Sequence, residues 1–130
     1  MTEPEKITAL LEKLIGQPLV PFPKERVRVD APKKAGVYII RSRANKVMYV
    51  GRTRAQGGLQ QRLQGHLLGQ SVFARELLPN GQTSLRSGYT FQCLVVETDR
   101  PRALLEQLAT GSLCPKHLGL NLLVKAESDA

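Results

Sequence analysis

The sequence predicts one domain of mixed α and β structure, in which a β-hairpin is followed by helices and a further strand. Three observations support this class. The chain has 130 residues, the length of one ordinary domain. Residues 36–51, GVYIIRSRANKVMYVG, place β-branched and aromatic residues on both sides of a polar centre, as hairpins do. Residues 58–69 and 102–110 repeat apolar side chains at helical spacing.

The N-terminal part predicts a helix followed by an extended connector. Residues 5–15 carry apolar side chains on one helical stripe. The next segment, QPLVPFPKE, holds three prolines, which remove backbone donors and disfavour helix. We therefore divide the chain into a helix and connector at 1–32, a main domain at 33–124 and a frayed tail at 125–130. The stripe residues are Ile7, Leu10, Leu11, Leu14 and Ile15.

The second half predicts two helices, a loop, a strand and a third helix. Thr98 and Asp99 suit the cap of that last helix, and Pro101 suits its first turn. The segment PKHLGLNLLVK at 115–125 has no clear pattern and is left unassigned. The predicted elements are helix 58–69, helix 71–78, a loop at 79–88 with Asn80-Gly81 as its turn, strand 89–97 and helix 102–110.

The charge balance points to an anionic partner. The chain has 19 basic and 11 acidic residues, a net charge of +8. Nucleic acid is the commonest partner of such a domain. No secretory signal or membrane-spanning run is visible, and Cys93 and Cys114 lack the spacing of a zinc site. We expect both to be core thiols in a reducing compartment, which favours a cytoplasmic protein.

The two ends of the hairpin spell Gly-Val-Tyr and Tyr-Val-Gly. If Gly36 pairs with Gly51, Tyr38 faces Tyr49, and both phenols lie on one face with Ile40 and Val47 beyond them. The other face would hold Val37, Ile39, Met48 and Val50. A slip of one residue would separate the tyrosines. Taken alone, such a pair is better explained by packing than by function, because cross-strand tyrosine pairs stabilise sheets.

The helix at 58–69 places an arginine and a histidine among its core-facing positions. Its stripe has the i, i+3, i+4, i+7, i+8 spacing. Polar residues at these places usually meet a ligand, although Arg62 could extend to solvent and His66 could be a satisfied edge histidine. The stripe consists of Leu59, Arg62, Leu63, His66 and Leu67.

These motifs, taken together and in order, resemble the GIY-YIG nucleases. GVY at 36–38 and YVG at 49–51 match the two signature strands, with valine in place of isoleucine. A basic residue, a helix arginine with a histidine one turn later, a later glutamate and an asparagine follow in the family's order. The matching residues here are Tyr38, Tyr49, Arg52, Arg62, His66, Glu106 and Asn121. The resemblance covers residues 33 to about 124.

The resemblance implies a small fold with a three-stranded antiparallel sheet flanked by helices. It also implies phosphodiester hydrolysis with one divalent metal, Mg²⁺ or Mn²⁺, held by Glu106. A single carboxylate is too few for a two-metal site but suffices for one Mg²⁺ that keeps several waters. Taken alone, Glu106 would be a solvated helix residue.

The residues can be matched to the steps of the reaction. A free phenol has a pKa near 10, so a tyrosine base needs nearby cations, here Arg52, Arg62 and the metal, to lower it. We favour Tyr49 as the base, with His66 competing and the role of Tyr38 open. Arg62 would clamp the scissile phosphate. Asn121 would orient the substrate.

Three functions remain for comparison at this point. The first is a metal-dependent endonuclease acting on DNA, with RNA as the alternative substrate. The second is a nucleic-acid-binding module that does not cleave, and the third is a partner-binding domain. The chain shows no zinc finger or helix-turn-helix, so specificity would come from DNA structure, a second copy of the chain, a partner protein or the basic segment at 75–86.

Overall fold

The computed structural model describes residues 1–54, 57–77 and 84–118, and it confirms a mixed fold with an antiparallel sheet flanked by helices. The predicted turn at Asn80-Gly81 and the predicted tail at 125–130 lie outside these residues. The elements are α1 (Glu3–Ile15), β1 (Val20–Pro21), β2 (Gly36–Arg41), β3 (Val47–Arg52), α2 (Gly58–Leu67), α3 (Val72–Leu77), β4 (Thr90–Val95) and α4 (Asp99–Leu113).

The sheet has four strands in the order β1-β4-β2-β3, not the three that the resemblance implied. The additional strand comes from the proline-rich connector, where Val20 pairs with Phe91 and Pro21 with Thr90. Proline is tolerated here because β1 is an edge strand, on which one side of the backbone needs no ladder partner. The connector is therefore part of the sheet.

The predicted register of the hairpin was wrong by two residues. Tyr38 pairs with Gly51, and Tyr49 pairs with Ile40. Because side chains alternate with a period of two, a slip of two leaves each residue on its expected face. The two tyrosines therefore still share a face, diagonally rather than directly opposed, with their ring centroids 6.1 Å apart.

The pairing shifts by one further residue between Ile40 and Arg41, and this exchanges two side chains at the far end of the hairpin. Met48 packs in the cluster that contains Tyr38, whereas Val47 packs against the opposite one. Both assignments reverse the prediction. A one-residue shift has this effect because it moves side chains to the other face.

The two faces of the sheet carry separate hydrophobic cores. One face of the sheet carries Tyr38 and Ile40, and we call it the tyrosine face. It is covered by α2, α3 and the connector. On the other, α1 and α4 cover Val37 and Ile39. β2 is buried on both sides because it is a central strand with helices above and below.

Glycine is required at both ends of the motif by close contacts. A Cβ at Gly51 would lie 2.3 Å from the Tyr38 hydroxyl, which occupies that space. A Cβ at Gly36 would lie 2.2 Å from the carbonyl oxygen of Leu94 on β4. The glycines that end the Gly-Val-Tyr and Tyr-Val-Gly motifs are therefore required by two unrelated close contacts, and not by a symmetry of the hairpin.

The helix ends follow the sequence signals in part. α1 begins with a capping box, in which the Thr2 side chain bonds the backbone of Glu5 and the Glu5 side chain bonds that of Thr2. Thr98 occupies the cap position of α4 but makes no side-chain cap bond within the described residues. None of the helices in the described ranges has the length and apolarity of a membrane crossing. The cytoplasmic location stays a prediction.

The two cysteines differ in environment. Cys93 is partly buried on β4, and its burial raises the pKa of the thiol. Cys114 is exposed, so its predicted place in the core was wrong. It follows the last residue of α4 and has a left-handed backbone with φ 48°, which directs the chain out of the helix.

Candidate active site

Helix α2 carries Arg62 and His66 against the tyrosine face. The helix is anchored by Leu59 and Leu63, which are fully buried in the core beneath it. Arg62 and His66 lie one turn apart on the same side. His66 is buried, whereas Arg62 is exposed and borders a cleft. The helical stripe thus delivers both side chains to the place that the sequence predicted.

A chain of short contacts joins Tyr38, His66 and Ser71. Tyr38 Oη lies 2.6 Å from His66 Nε2, and His66 Nδ1 lies 2.6 Å from Ser71 Oγ. The backbone N–H of Ala74 also donates to Ser71 Oγ, at 3.1 Å, so that Ser71 caps the first turn of α3. All three side chains are buried. His66 is therefore held at both ring nitrogens.

Burial is the main influence on the protonation of the hydrogen-bonded pair Tyr38 and His66. It raises the pKa of Tyr38 well above its ordinary value, and the Tyr49 phenol adds to the effect while Arg62 opposes it. Burial, with the charge of Arg62, lowers the pKa of His66 to about 3. Both side chains are therefore neutral at pH 7. The expectation that nearby arginines would lower the pKa of the phenol does not hold for Tyr38, because desolvation outweighs them.

Arg62 interacts with both phenols. Burial alone would lower the pKa of its guanidinium, but attraction and hydrogen bonding to Tyr38 and Tyr49 outweigh that effect and raise it. Arg62 therefore lies close enough to both signature tyrosines to interact with them, and it also lines the open cleft.

Tyr49 belongs to a cluster of aromatic rings on the same face. It stacks on Phe73 of α3 with centroids 4.9 Å apart and planes 16° apart, and its edge meets His66 at 5.3 Å. His117 packs against Phe73 at 5.5 Å, and its Nε2 lies 2.8 Å from the Glu76 carboxylate. This packing fixes the orientation of the Tyr49 ring.

Glu106 approaches from α4, on the opposite face of the sheet. Its Oε1 accepts from Arg52 Nη1 at 3.3 Å, and the two side chains are 27% and 35% exposed. Arg52 lies at the end of β3 and borders the cleft. The charge of Glu106 also contributes, as the smallest cause, to the raised pKa of Tyr38, so the carboxylate lies near the phenol although it comes from the other layer.

The donor set around Glu106 fits a hydrated divalent cation rather than a fully protein-coordinated one. Within the described residues, no three His, Cys, Asp or Glu side chains lie together in a group that could hold a metal. One half-buried carboxylate suits Mg²⁺, which retains several waters and takes oxygens from a phosphate. It does not suit zinc, which needs three or four protein ligands.

A cleft of about 530 Å³ opens beside α2 at the end of β3. Among the described residues that line it, three are arginines, Arg52, Arg54 and Arg62, and none is acidic. His66 and Ser71 form part of its floor. A concave surface lined with guanidinium groups has the charge and donor geometry that phosphate requires.

The expected site residues that the structure describes fall into two neighbouring groups. Tyr38, Tyr49, Arg62 and His66 form one contact group, and Arg52 and Glu106 form an ion pair beside it. Asn121 lies outside the described residues.

Three residues of the site were missed by the sequence reasoning, namely Ser71, Phe73 and Arg54. Ser71 had a signal, since a serine at the start of the predicted helix 71–78 is a cap candidate, but nothing in the sequence indicated its contact with His66. Phe73 appeared only as an apolar residue of that helix. Arg54 appeared only as one of several basic residues.

Comparison with known proteins gives one family match. The family model described as the GIY-YIG catalytic domain matches residues 34–104, more than half of the chain, and ends two residues before Glu106. No curated protein matches.

Among solved structures, the chain is similar to the GIY-YIG N-terminal endonuclease domain of UvrC from Thermotoga maritima. Three point mutants of that domain, each bound to its catalytic divalent cation, align at 19% or 20% identity with a TM-score of 0.48. Each alignment covers 89% of this chain and 96% of the other.

Proposed function

This chain belongs to the GIY-YIG catalytic-domain family, and from that premise we propose that it is an endonuclease that hydrolyses DNA phosphodiester bonds with one divalent cation. The observation that carries the proposal is the position of Arg62, which lines a cleft with Arg52 and Arg54 and lies close enough to both signature phenols to interact with them. A phosphate in this cleft would meet cations and the acid–base groups of the site together.

The arginines bind and polarise the phosphate. Arg62 makes charge-assisted hydrogen bonds to its oxygens, and these strengthen as negative charge develops in the transition state. Arg52 and Arg54 hold the flanking phosphates. Asn121 is proposed to orient the substrate, as the resemblance implies.

Tyr38 is the phenol best placed to act as the base, although the sequence favoured Tyr49. It is the tyrosine whose hydroxyl directly contacts an imidazole nitrogen, His66 Nε2 at 2.6 Å. In the free protein burial and the Arg62 charge keep His66 neutral, but a phosphate bound to Arg62 would offset that charge, so that Tyr38 could pass its proton to the ring as it takes one from the water. His66 does not contact the water itself in this scheme, because both of its ring nitrogens are engaged. Arg62 contacts the phenol and lines the cleft, so its movement onto a phosphate would open Tyr38 to the water there. Tyr49 orients that water.

Glu106 would hold the divalent cation. When bound, the ion would supply neutralisation of the phosphate and a lower pKa for the nearby phenol. The carboxylate must first part from Arg52, which is then free to turn towards substrate. That exchange is feasible because the pair is partly exposed and such pairs contribute little stability.

A non-cleaving nucleic-acid-binding module is the second candidate, and the same ion pair favours it. Arg52 already compensates the charge of Glu106, so the fold has no need of a metal to satisfy that carboxylate. A protein of this kind would use the arginine-lined cleft for binding alone.

Cleavage of plasmid, flap, junction and single-stranded DNA, and of RNA, in Mg²⁺ or Mn²⁺ tests the proposal. Glu106→Gln keeps the shape of the side chain and removes its charge, so cleavage should fall by several orders of magnitude while metal-free DNA binding persists. Arg62→Ala should weaken both cleavage and binding, because it removes a cation that touches substrate before and during the reaction.

Two matched variants control for the loss of charge alone. Glu97→Gln removes an exposed glutamate paired with Lys34, and Arg100→Ala removes an exposed arginine paired with Glu3. Both should cleave like the unmodified protein. Cleavage by Glu106→Gln at the unmodified rate would refute the proposed mechanism. Binding without cleavage on every substrate would establish the second candidate instead.

A further inference from the structure

Ser71 has a hydrogen-bonding position that capping alone does not explain. Its Oγ accepts the backbone N–H of Ala74, which completes the cap of α3. The same oxygen lies 2.6 Å from Nδ1 of His66, a buried ring whose other nitrogen contacts Tyr38. The residue therefore joins the start of one helix to the acid–base pair of the site.

Burial and the available acceptors determine which atoms donate in the hydrogen bonds that join Tyr38, His66 and Ser71. A neutral His66 carries one N–H, so one nitrogen donates and the other accepts. Tyr38 is fully buried and protonated, and its neighbour Arg62 offers it donors but no acceptor. The Tyr38 hydrogen is therefore assigned to His66 Nε2. A hydroxyl hydrogen buried without an acceptor would be costly.

The remaining hydrogen of the ring then lies on Nδ1 and is donated to Ser71. Ser71 Oγ has two lone pairs, which accept from His66 and from Ala74. The hydroxyl hydrogen of Ser71 can be donated to water, because Ser71 borders the cleft. The reverse order would turn the Tyr38 hydrogen away from the one acceptor that it contacts among the described side chains.

We infer that Ser71 is a positioning residue for the proposed hydrolysis: it holds His66 with its proton on Nδ1 and presents the bare Nε2 to Tyr38. This role rests on the proposed function. When Tyr38 transfers its proton, the O–H bond breaks, its electron pair stays on Oη, and an N–H bond forms at Nε2. Ser71 Oγ then faces the N–H of an imidazolium cation and stabilises it.

Three substitutions at Ser71 separate orientation of the ring from capping. Ser71→Thr keeps both acceptor and donor. Ser71→Asp keeps the cap and the acceptor but cannot donate a hydrogen. Ser71→Ala removes the helix cap, the acceptor for His66 and the donor together. As a matched control, Ser84→Ala removes a serine whose Oγ accepts the backbone N–H of Arg86 away from His66.

The deciding measurement is the ¹⁵N spectrum of the imidazole rings in the metal-free, 130-residue protein. The chain has two histidines, so the spectrum is simple to assign. We expect His66 to be protonated at Nδ1 in the unmodified protein and in the Thr and Asp variants, and to lose that single tautomer in Ser71→Ala. A proton on Nε2 in the unmodified protein would overturn the inference, and so would a change of tautomer in Ser71→Asp.

Cleavage supplies the second readout. The rate should fall by about 10- to 100-fold in Ser71→Ala, as for other partners that orient a functional histidine, and Ser71→Thr should restore it to within about threefold. DNA affinity should not change. If Ser71→Ala cleaves as Ser84→Ala does, Ser71 is a cap and nothing more. If the unmodified protein cleaves no substrate, the proposed function fails, and the ¹⁵N spectrum alone decides the order of the hydrogen bonds.

Discussion

The hydroxyl of Tyr38 occupies the space that a side chain at residue 51 would fill. A β-carbon there would lie 2.3 Å from Oη and 2.5 Å from the ring carbon that bears it. The glycine of the second motif is thus part of the packing of the first tyrosine. Any side chain at this position would displace the phenol from His66.

Gly51→Ala should destabilise the protein by about 1–3 kcal/mol and abolish the contact between Tyr38 and His66, because the ring cannot move within a filled core. Gly111→Ala is the matched change. Gly111 lies in α4, and apart from its chain neighbours and the nearby backbone of its own helix, no described atom lies within 4 Å of the methyl group that alanine would add. That variant should therefore gain about 0.5–1 kcal/mol from helix propensity. Urea unfolding measures both. Equal stabilities for the two variants would contradict the packing described for Tyr38.

The neutral, buried His66 makes stability depend on pH. Its pKa is about 3 in the folded protein and 6.5 ordinarily, so between these values the unfolded chain binds a proton that the folded protein does not. Stability therefore falls as pH decreases from 6.5 towards 3. Between pH 7 and pH 5 the loss should be about 2 kcal/mol, at about 1.4 kcal/mol for each pKa unit.

Replacement of the histidine isolates this contribution. His66→Gln cannot titrate, so the slope of its unfolding free energy against pH should be smaller than that of the unmodified protein over the same interval. The remaining slope belongs to other groups. Parallel slopes for the two proteins would show that His66 is already charged, or exposed, in the folded state.

At the scale of elements, residue periodicity predicted the buried face of a helix better than it predicted the register of the strands. Helix α2 needed only its 3.6-residue spacing, and the structure places Leu59, Leu63 and His66 inside as that spacing requires. The hairpin register depends on the glycine at 51 and on a one-residue shift near Arg41, which no periodicity reveals. The predicted face of each tyrosine was correct because the register was wrong by two residues, and an even shift leaves side chains on the same face.

Contacts between different elements were harder to predict than the elements themselves. Ser71 and His66 lie five residues apart, but their contact depends on the turn between α2 and α3. The approach of Glu106 from the opposite layer depends on how α4 packs on the sheet. Neither arrangement leaves a pattern in one sequence, so motifs could nominate candidate residues but could not predict the contacts between them.

Helix α1 shows how closely burial follows the helical stripe. Leu14 is fully buried against the sheet, whereas its neighbour Ile15, expected on the same stripe, is 40% exposed. Leu14→Ala should therefore cost about 2–5 kcal/mol, since it opens a cavity in the core shared with α4. Ile15→Ala should change stability by about 0.5 kcal/mol. Thermal or urea unfolding of this pair checks the docking of α1, and similar losses at both positions would contradict it.

At the scale of the whole molecule, net charge overstates the cations available to a nucleic acid. Arg86 donates to the backbone carbonyls of Pro23 and Glu25 and so fixes the connector. Arg102 is buried and bonds the carbonyls that precede α4. The arginines that face open space in the cleft are Arg52, Arg54 and Arg62.

DNA affinity should fall steeply with salt. Each phosphate neutralised contributes about 0.9 to the slope of log affinity against log salt concentration, so three cleft arginines predict a slope of about −3. Arg54→Ala should reduce the slope by about 1, and Arg100→Ala, which breaks the surface pair with Glu3, should leave it unchanged. An affinity independent of salt would remove the main support for a nucleic-acid partner.

The two cores on opposite faces of the sheet divide the site between two cooperative units. Tyr38, Tyr49, Arg62 and His66 come from one hairpin and the helix after it, whereas Glu106 belongs to α4 in the other layer. Such layers open with different free energies, and a release of α4 would remove the carboxylate while the tyrosines stayed in place. A divalent cation held by Glu106 and by a phosphate on Arg62 would join the layers. On the proposed function, amide hydrogen exchange in α4 should then slow when metal and uncleavable DNA are added together, more than with either alone, because the two ligands together would link the layers of the protein.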